Sequence, residues 1–195
     1  ADLALVCIES PKGGVGYSAD DAAKNGNGYV PISLQYGPYK AEFARENSLG
    51  GGSPFESFTN RSYKGKTSQA SNINDMKAVI ETRAKMGNKP VVVVVKTANP
   101  MVLAEIEKST SAILIHMGVQ DQAILDIVSG VAEPSALLPF QMPADMKTVE
   151  EQFEDVPRDM RCYTDTEGNV YDFAFGLNWN GVISDARTAK YKSAK

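Results

Sequence analysis

The stretch from Ala112 to Gly130, AILIHMGVQDQAILDIVSG, decides the fold class. Its apolar run AILIH stops at a glycine, and a helical pattern that ends on Gly130 follows at once. A continuous apolar run is typical of a strand covered on both faces of a parallel sheet, and the helical spacing places Ile124, Leu125 and Val128 inward. A strand that turns directly into a helix predicts one unit of an α/β fold.

Two further apolar runs predict strands of the same sheet, LALVCI at 3–8 and VVVVVK at 91–96. Between them, INDMKAVIETRAKMG has helical spacing, with Asn74 as the expected N-cap and Gly87 as the stop. Strands that alternate with helices predict a layered α/β/α sandwich with a mostly parallel sheet. Two more helices are expected, NPMVLAEIEK at 99–108 and ADMKTVEEQF at 144–153.

The composition is that of an ordinary globular protein. The 195 residues suffice for one domain with a sizeable core, and 43% of them are hydrophobic and 23% charged. The net charge of −4 argues against a nucleic-acid partner, because such proteins usually present a basic face. The apolar runs are much shorter than the roughly 20 residues that a membrane-spanning helix needs, so we expect no membrane span.

The two cysteines and the first residues bear on the origin of the chain. Cys7 lies within an apolar run, which favours a buried free thiol over a disulfide with the distant Cys162. Two cysteines do not assign a compartment. The sequence opens with ADLALVCI, a strand pattern that follows no initiator methionine or signal-peptide region, so we expect a piece of a longer polypeptide.

Residues from about 9 to 72 read as a long inserted loop, rich in glycine, tyrosine and charge. A loop of this length inside a compact domain is usually functional or disordered, and its many aromatic residues favour function. Aromatic faces among carboxylates, amides and arginines suit a sugar, which has apolar C–H faces and a rim of hydroxyl groups. The candidate substrate-binding residues are Tyr17, Tyr36, Tyr39, Arg61 and Tyr63.

Two motifs for cofactors or metals are weak. The segment 14–19 matches G-x-G-x-x-A, a dinucleotide fingerprint, but its helix would end by 25–28 and no clear second strand follows. A simple glycine turn is the better interpretation. His116, the only histidine, has no partner set with zinc spacing, and we expect a hydrogen-bonded histidine at the edge of the core. We therefore expect neither cofactor nor metal.

Carboxylates offer the best chemistry. Glu9 comes directly after the first strand, and Glu42, Glu46 and Glu56 lie in the long loop. Glycoside hydrolysis uses two carboxyl groups, one as acid/base and one as nucleophile or base. For any single one of these residues, a solvated loop carboxylate is the more common outcome.

The run from Lys89 to Pro143, KPVVVVVKTANPMVLAEIEKSTSAILIHMGVQDQAILDIVSGVAEPSALLPFQMP, resembles the C-terminal domain of glycoside hydrolase family 3, the β-glucosidase family. YDFAFGLNW at 171–179 resembles the closing segment of that family, and ADLALVCIES one of its strands. The sequence departs from the family pattern at Ala136-Leu137, where Gly-Arg is usual, and at Ala174-Phe175, where Gly-Tyr is frequent. It also lacks the Glu-x-x-Gly-x-Asp run found in many members after the first strand.

The resemblance implies a retaining hydrolase whose nucleophile, an aspartate, lies on a separate N-terminal (β/α)8 barrel. Glu9 and Glu56 then become the candidate acid/base residues of this chain. Residues 1–183 would form the α/β sandwich domain, either whole or without its first strand–helix units, and 184–195 a tail. GVISDAR at 181–187 echoes the run around the family's nucleophile, but we interpret it as surface tail.

The leading hypothesis is a C-terminal domain fragment of a retaining β-glycosidase, β-glucosidase-like, that completes the barrel's active site and helps to hydrolyse terminal β-linked sugars. Alone it should be inactive, because half of the carboxylate pair is missing. The expected partners are a β-linked oligosaccharide or glycoside and the barrel of the same polypeptide. The resemblance is compatible with a homodimer and with a secreted or periplasmic enzyme. The alternatives are a non-catalytic carbohydrate-binding or assembly module of this fold and, more weakly, a nucleotide-binding domain.

Overall fold

A computed structural model of the chain describes residues 1–45, 61–153 and 156–191. Strands and helices alternate along much of it, with two 3-10 turns, Leu103–Glu105 and Glu107–Ser109, before β5. The strands are β1 (Ala4–Glu9), β2 (Tyr39–Lys40), β3 (Thr67–Ser68), β4 (Val91–Lys96), β5 (Ala112–His116), β6 (Leu177–Asn178) and β7 (Gly181–Val182). The helices are α1 (Ala19–Ala23), α2 (Ile73–Met86), α3 (Asp121–Val128), α4 (Met146–Glu151) and α5 (Ala186–Tyr191).

The main sheet is parallel and has the order β1-β4-β5. Ala4 pairs with Val91 at one end of β1 and Glu9 with Lys96 at the other, so the carboxyl ends of β1 and β4 are level. Helix α2 lies in the connection between these two strands, directly before β4, and packs against both. The predicted α/β class with a mostly parallel sheet is confirmed.

The core lies on the face of the sheet that α2 covers. In β1 it takes the side chains of even-numbered residues, of which Ile8 is 6% exposed. In β4 it takes the odd-numbered valines, and Val79 of α2 packs against them. The same cluster also contains these residues from the connecting segments: Tyr36, Ala70, Met101, Leu103, Ile106, Met142 and Tyr163.

The opposite face of the sheet is much more open, which corrects two predictions. Cys7 is a free thiol, as expected, but it is exposed because alternation in β1 turns it away from the core. Leu5 points the same way and is 36% exposed. In α3, the residues predicted to face inward, Ile124, Leu125 and Val128, all remain at least partly exposed, since the helix lies at the margin of the core.

The helix predicted over 99–108 is wrong, because the segment forms the two 3-10 turns instead. Met101, Leu103 and Ile106 are fully buried, so apolar side chains point inward from more than one side of the segment. The backbone N–H of Val102 donates to the carbonyl of Leu34 at 2.9 Å, a bond that ties the segment to the preceding loop instead of to its own turn.

The segment predicted as a long loop is organised where the structure describes it. Helix α1 and the paired strands β2 and β3 lie within it. The Lys66 ammonium contacts Asp21 Oδ2 and Asn27 Oδ1, each at 2.6 Å, and Asp21 also accepts the N–H of Gly28. These bonds tie the two halves of the segment together, and α1 ends too early for a dinucleotide-binding unit.

The last part of the chain forms a hairpin and a helix. Strands β6 and β7 pair antiparallel, and Trp179 lies exposed in the turn between them. Helix α5 lies within the predicted tail and buries Thr188. In the described parts of the chain, the helices are too short or too polar to cross a membrane.

Candidate functional site

The cavity of interest lies at the carboxyl ends of β1 and β4, where ligands of open α/β sheets bind. Its volume is about 680 Å³, within the range of small-molecule sites. Val15, Ile32 and Leu34 supply an apolar part of the lining. The polar part includes Glu9, Ser10, Lys12, Ser71, Lys96 and Asn99. A lining that combines apolar and polar groups suits a ligand with both kinds of surface, such as a sugar.

Glu9 and Lys12 form an ion pair at the mouth of this cavity. The hydrogen bond and charge of Lys12 hold the pKa of Glu9 below its ordinary value, while the carboxylate raises the pKa of Lys12. Glu9 is 44% exposed in its side chain and is therefore reachable. A paired carboxylate stays ionised, so in this conformation it can act as a base or as an acceptor for hydroxyl groups. To act as an acid it has to leave Lys12.

The backbone of Glu9 is held from several sides. Its N–H donates to Asp75 Oδ2 at 3.1 Å. Its carbonyl accepts bonds from the hydroxyl of Tyr36 at 2.5 Å and from Asn72 Nδ2 at 3.2 Å. Tyr36 is fully buried, and burial raises its pKa strongly, so its hydroxyl remains a donor. The carboxylate thus projects from a fixed main chain.

Ser10 connects the ends of β1 and β4. Its N–H donates to the carbonyl of Lys96 at 3.0 Å, and its hydroxyl accepts the N–H of Ala98 at 3.2 Å. The same hydroxyl lies 3.4 Å from Asn99 Oδ1. Because Ser10 is buried, these bonds form the floor between the two strand ends and fix the wall that carries Lys96 and Asn99.

The predicted site residues are not all brought together. Glu9 lines the cavity, and Tyr36 supports it from beneath without facing it. Tyr17 is exposed, and Tyr39 places its hydroxyl beside Glu150, where burial and that carboxylate raise its pKa. Glu56 lies outside the described residues. The guanidinium of Arg61 stacks over Tyr29; Tyr17, Tyr39, Arg61 and Tyr63 are not among the described residues that line the cavity.

Sequence reasoning missed Lys12, Asn72, Asp75 and Asn99. The signal for Asn99 and for the neighbouring Lys96 was available, because both follow the apolar run of β4 and carboxyl ends of parallel strands meet at one edge. Asn72 and Asp75 carry only a helix-start signal in the sequence. Their bonds to the distant loop 9–12 become visible only in the fold.

Two other expectations concern the stretch around β5. His116 is partly buried, and its Nδ1 accepts the N–H of Gly118 at 3.2 Å, as a hydrogen-bonded histidine at the core edge should. Gly118 has φ of 100°, a left-handed conformation that makes the predicted tight turn before α3. Within the described ranges, no group of three or more His, Cys, Asp or Glu residues is placed to hold a metal ion.

Comparison with known proteins gives consistent matches. Residues 1–179 match the family model described as Glycosyl hydrolase family 3 C-terminal domain. Similar proteins include "Probable beta-glucosidase C" of Aspergillus flavus, 37% identical over 46% of this chain and 13% of that protein. Others are "Beta-glucosidase C" of Emericella nidulans (36% identical, 46% of this chain, 14% of that protein) and "Periplasmic beta-glucosidase/beta-xylosidase" of Dickeya chrysanthemi (28%, 62% and 17%).

The matched regions cover only 13–17% of the length of these three relatives. No solved structure matches the chain.

Proposed function

This chain belongs to the glycosyl hydrolase family 3 C-terminal domains, and we propose that it completes the active site of a retaining β-glycosidase of β-glucosidase type. The (β/α)8 barrel and its aspartate nucleophile would lie elsewhere in the same polypeptide. The names of the matched proteins support this proposal, as does the small share of their length that the chain covers. Terminal β-linked sugars are the proposed substrates.

The observation that carries the proposal is the cavity at the ends of β1 and β4, with a carboxylate on a fixed backbone at its mouth. A sugar ring can lay a C–H face on the apolar wall and offer hydroxyl groups to Glu9, Lys12 and Asn99. In the proposed reaction Glu9 first donates a proton to the leaving glycosidic oxygen. It then takes a proton from the water that releases the glycosyl–enzyme intermediate.

The first of these steps needs the Glu9–Lys12 pair to open. Lys12 stabilises the ionised carboxylate, which is the form required when water is deprotonated. If a substrate hydroxyl or a barrel residue replaced Glu9 as the partner of Lys12, the pKa of Glu9 would rise and its carboxylate could bind a proton. The pair would therefore keep the carboxylate in its base form until the substrate enters.

The test is the hydrolysis of aryl β-glucosides by the full-length polypeptide. Glu9→Gln should lower kcat/KM by roughly 100-fold or more for a poor leaving group, and much less for 2,4-dinitrophenol, which needs no proton. Glu56→Gln tests the other candidate in the same way. Glu81→Gln, an exposed residue of α2, is the matched control and should leave the rate unchanged. Unchanged rates in both test variants would contradict the acid/base assignments of Glu9 and Glu56.

A second candidate is a non-catalytic carbohydrate-binding module of the same fold. The ion pair that keeps Glu9 charged favours it, because a binding carboxylate needs no proton. This candidate predicts sugar binding that Glu9→Gln weakens, in a full-length polypeptide without glycosidase activity. Calorimetric titration with glucose and cellobiose, alongside the rate assay, separates the two.

The proposal also covers how the domain is completed. Parallel sheets are normally covered on both faces, and here the side chains of Leu5 and Cys7 face outward. We propose that strand–helix units preceding β1 in the full-length polypeptide cover this open face. Residues 1–183 would then be part of a larger α/β sandwich.

A further inference from the structure

Helix α2 begins in an unusual way. Asn72 is its N-cap residue, and asparagine is among the best capping residues because its side chain can accept an N–H of the first turn. Here the side chain makes no such bond. In α1 and α4, by contrast, the N-cap residues Ser18 and Asp145 do accept a first-turn N–H. The side chain of Asn72 is therefore used for something other than its own helix.

That use is the loop from Glu9 to Lys12. Asn72 Oδ1 accepts the N–H of Lys12 at 2.8 Å. Asn72 Nδ2 lies 3.2 Å from the carbonyls of both Glu9 and Ser10. The amide thus reaches both ends of the turn that separates the two charged residues of the cavity mouth, and only a group with both a donor and an acceptor can do this.

Asp75, three residues further on, completes the arrangement. Its Oδ2 accepts the N–H of Glu9 at 3.1 Å and Asn72 Nδ2 at 2.9 Å. At this position a carboxylate commonly bonds back to the cap residue's own N–H. Here it holds the asparagine amide and the end of β1 instead. The two polar side chains at the start of α2 together leave the helix uncapped and fix the loop.

We infer that Asn72 is a positioning residue, which holds the loop 9–12 so that Glu9 and Lys12 meet the ligand in one fixed geometry. The inference rests on the proposed function, since it assigns Asn72 a part in a reaction at Glu9. It goes further because it assigns control of the geometry of that site to a residue that does not contact the substrate. Helix α2 therefore lacks a side-chain capping bond, while the loop at the mouth of the cavity is held rigidly.

The test uses Asn72→Ser in the full-length polypeptide. Serine can cap α2 but has no amide to span the loop, so a purely structural role and a positioning role predict different results. We expect thermal stability to change little, hydrogen exchange over residues 9–13 to become roughly 10-fold faster, and kcat/KM to fall about 10-fold. The drop should appear in kcat more than in KM, because the carboxylate is still present but no longer held.

Asn169→Ser is the matched control. This amide also bonds a side-chain carboxylate, with Asn169 Nδ2 2.9 Å from Asp165 Oδ2, but in a turn outside the cavity lining. It should alter neither exchange over 9–13 nor kcat/KM. Asn72→Asp is a second variant that keeps the shape and the acceptor. It removes the donors and places a carboxylate beside Asp75, so it should lose more activity than Asn72→Ser.

Unchanged exchange over residues 9–13 in Asn72→Ser would overturn the inference. So would faster exchange with an unaltered kcat/KM, if Glu9→Gln has meanwhile lost activity. Full activity in Glu9→Gln is a different failure, since it removes Glu9 from the proposed function. The exchange measurement still decides whether Asn72 holds the loop in that case.

Discussion

The two faces of the parallel sheet differ although the same three strands form both. On the face toward α2, Ile8 is 6% exposed and the odd-numbered valines of β4 are fully buried. On the other face, Leu5 and Cys7 of β1 are open to solvent, while Val94 at the centre of the sheet is covered. The face toward α2 thus carries the buried core, whereas on the other face of β4 Val94 is buried and Val92 is only partly buried. The difference teaches that a continuous apolar run, typical of strands covered on both faces, does not by itself ensure that both faces of β1 are buried in this chain.

The largest expected effect on stability comes from the face of the sheet that packs against α2. Ile8→Ala removes a buried side chain from the core and leaves a cavity, so it should lower the free energy of unfolding by about 2–5 kcal/mol. Urea denaturation of the 195-residue chain, followed by circular dichroism, measures the change. A cost near zero would mean that this face is no better packed than the other.

The reactivity of the two cysteines compares the open face of the sheet with a more buried position. Cys7 is exposed on the open face, whereas burial, together with the charge of Asp172, raises the pKa of Cys162 to about 11. Since the thiolate is the reactive form, iodoacetamide at pH 8 should label Cys7 more than about 10-fold faster, and labelling of Cys162 should accelerate as the pH rises toward 11. Mass spectrometry of peptides from the folded chain gives both rates.

The same labelling in the full-length polypeptide tests whether the open face is covered there. Cys7 should then be protected, with Cys162 as the internal reference. Equal labelling of Cys7 in the chain and in the full-length polypeptide contradicts the proposed cover.

The smallest effect is expected on the open face. Leu5→Ala removes a side chain of the same size as Ile8 from the same strand, but from a position that is already 36% exposed. We expect a cost of about 1 kcal/mol in the chain, because less apolar surface leaves its environment. In the full-length polypeptide the cost should approach that of Ile8→Ala. If Leu5→Ala costs as much as Ile8→Ala already in the isolated chain, the contrast between the faces disappears.

Much of the sheet could be predicted from the sequence because its strands are unbroken apolar runs. The runs VVVVVK and AILIH coincide with β4 and β5, and β1 begins one residue later than its run. Helix α2 also follows from its periodicity, although its cap is Asn72 and not Asn74. Local patterns succeed here because each strand is an unbroken apolar run, although burial is nearly complete only along β4.

The segment 99–108 and the cavity could not be predicted in the same way. In 99–108 the apolar residues satisfy a helical pattern, yet contacts with Leu34 and the core hold the chain in 3-10 turns. The network on Glu9 joins residues that lie more than 60 positions apart, such as Asp75. Such bonds cannot be inferred from the spacing of residues along the sequence. Among the residues that line the cavity, the sequence therefore predicted only Glu9, from its position at the end of a strand.

Trp179 is the only tryptophan of the chain and lies 58% exposed in the turn of the β6–β7 hairpin, where its backbone N–H donates to Glu133 Oε1 at 3.3 Å. Its indole is therefore a built-in optical reporter of one surface. The isolated chain should emit at the long wavelength of a hydrated indole. A shift of this emission toward the blue as another domain or ligand settles on the hairpin would give a label-free signal for assembly.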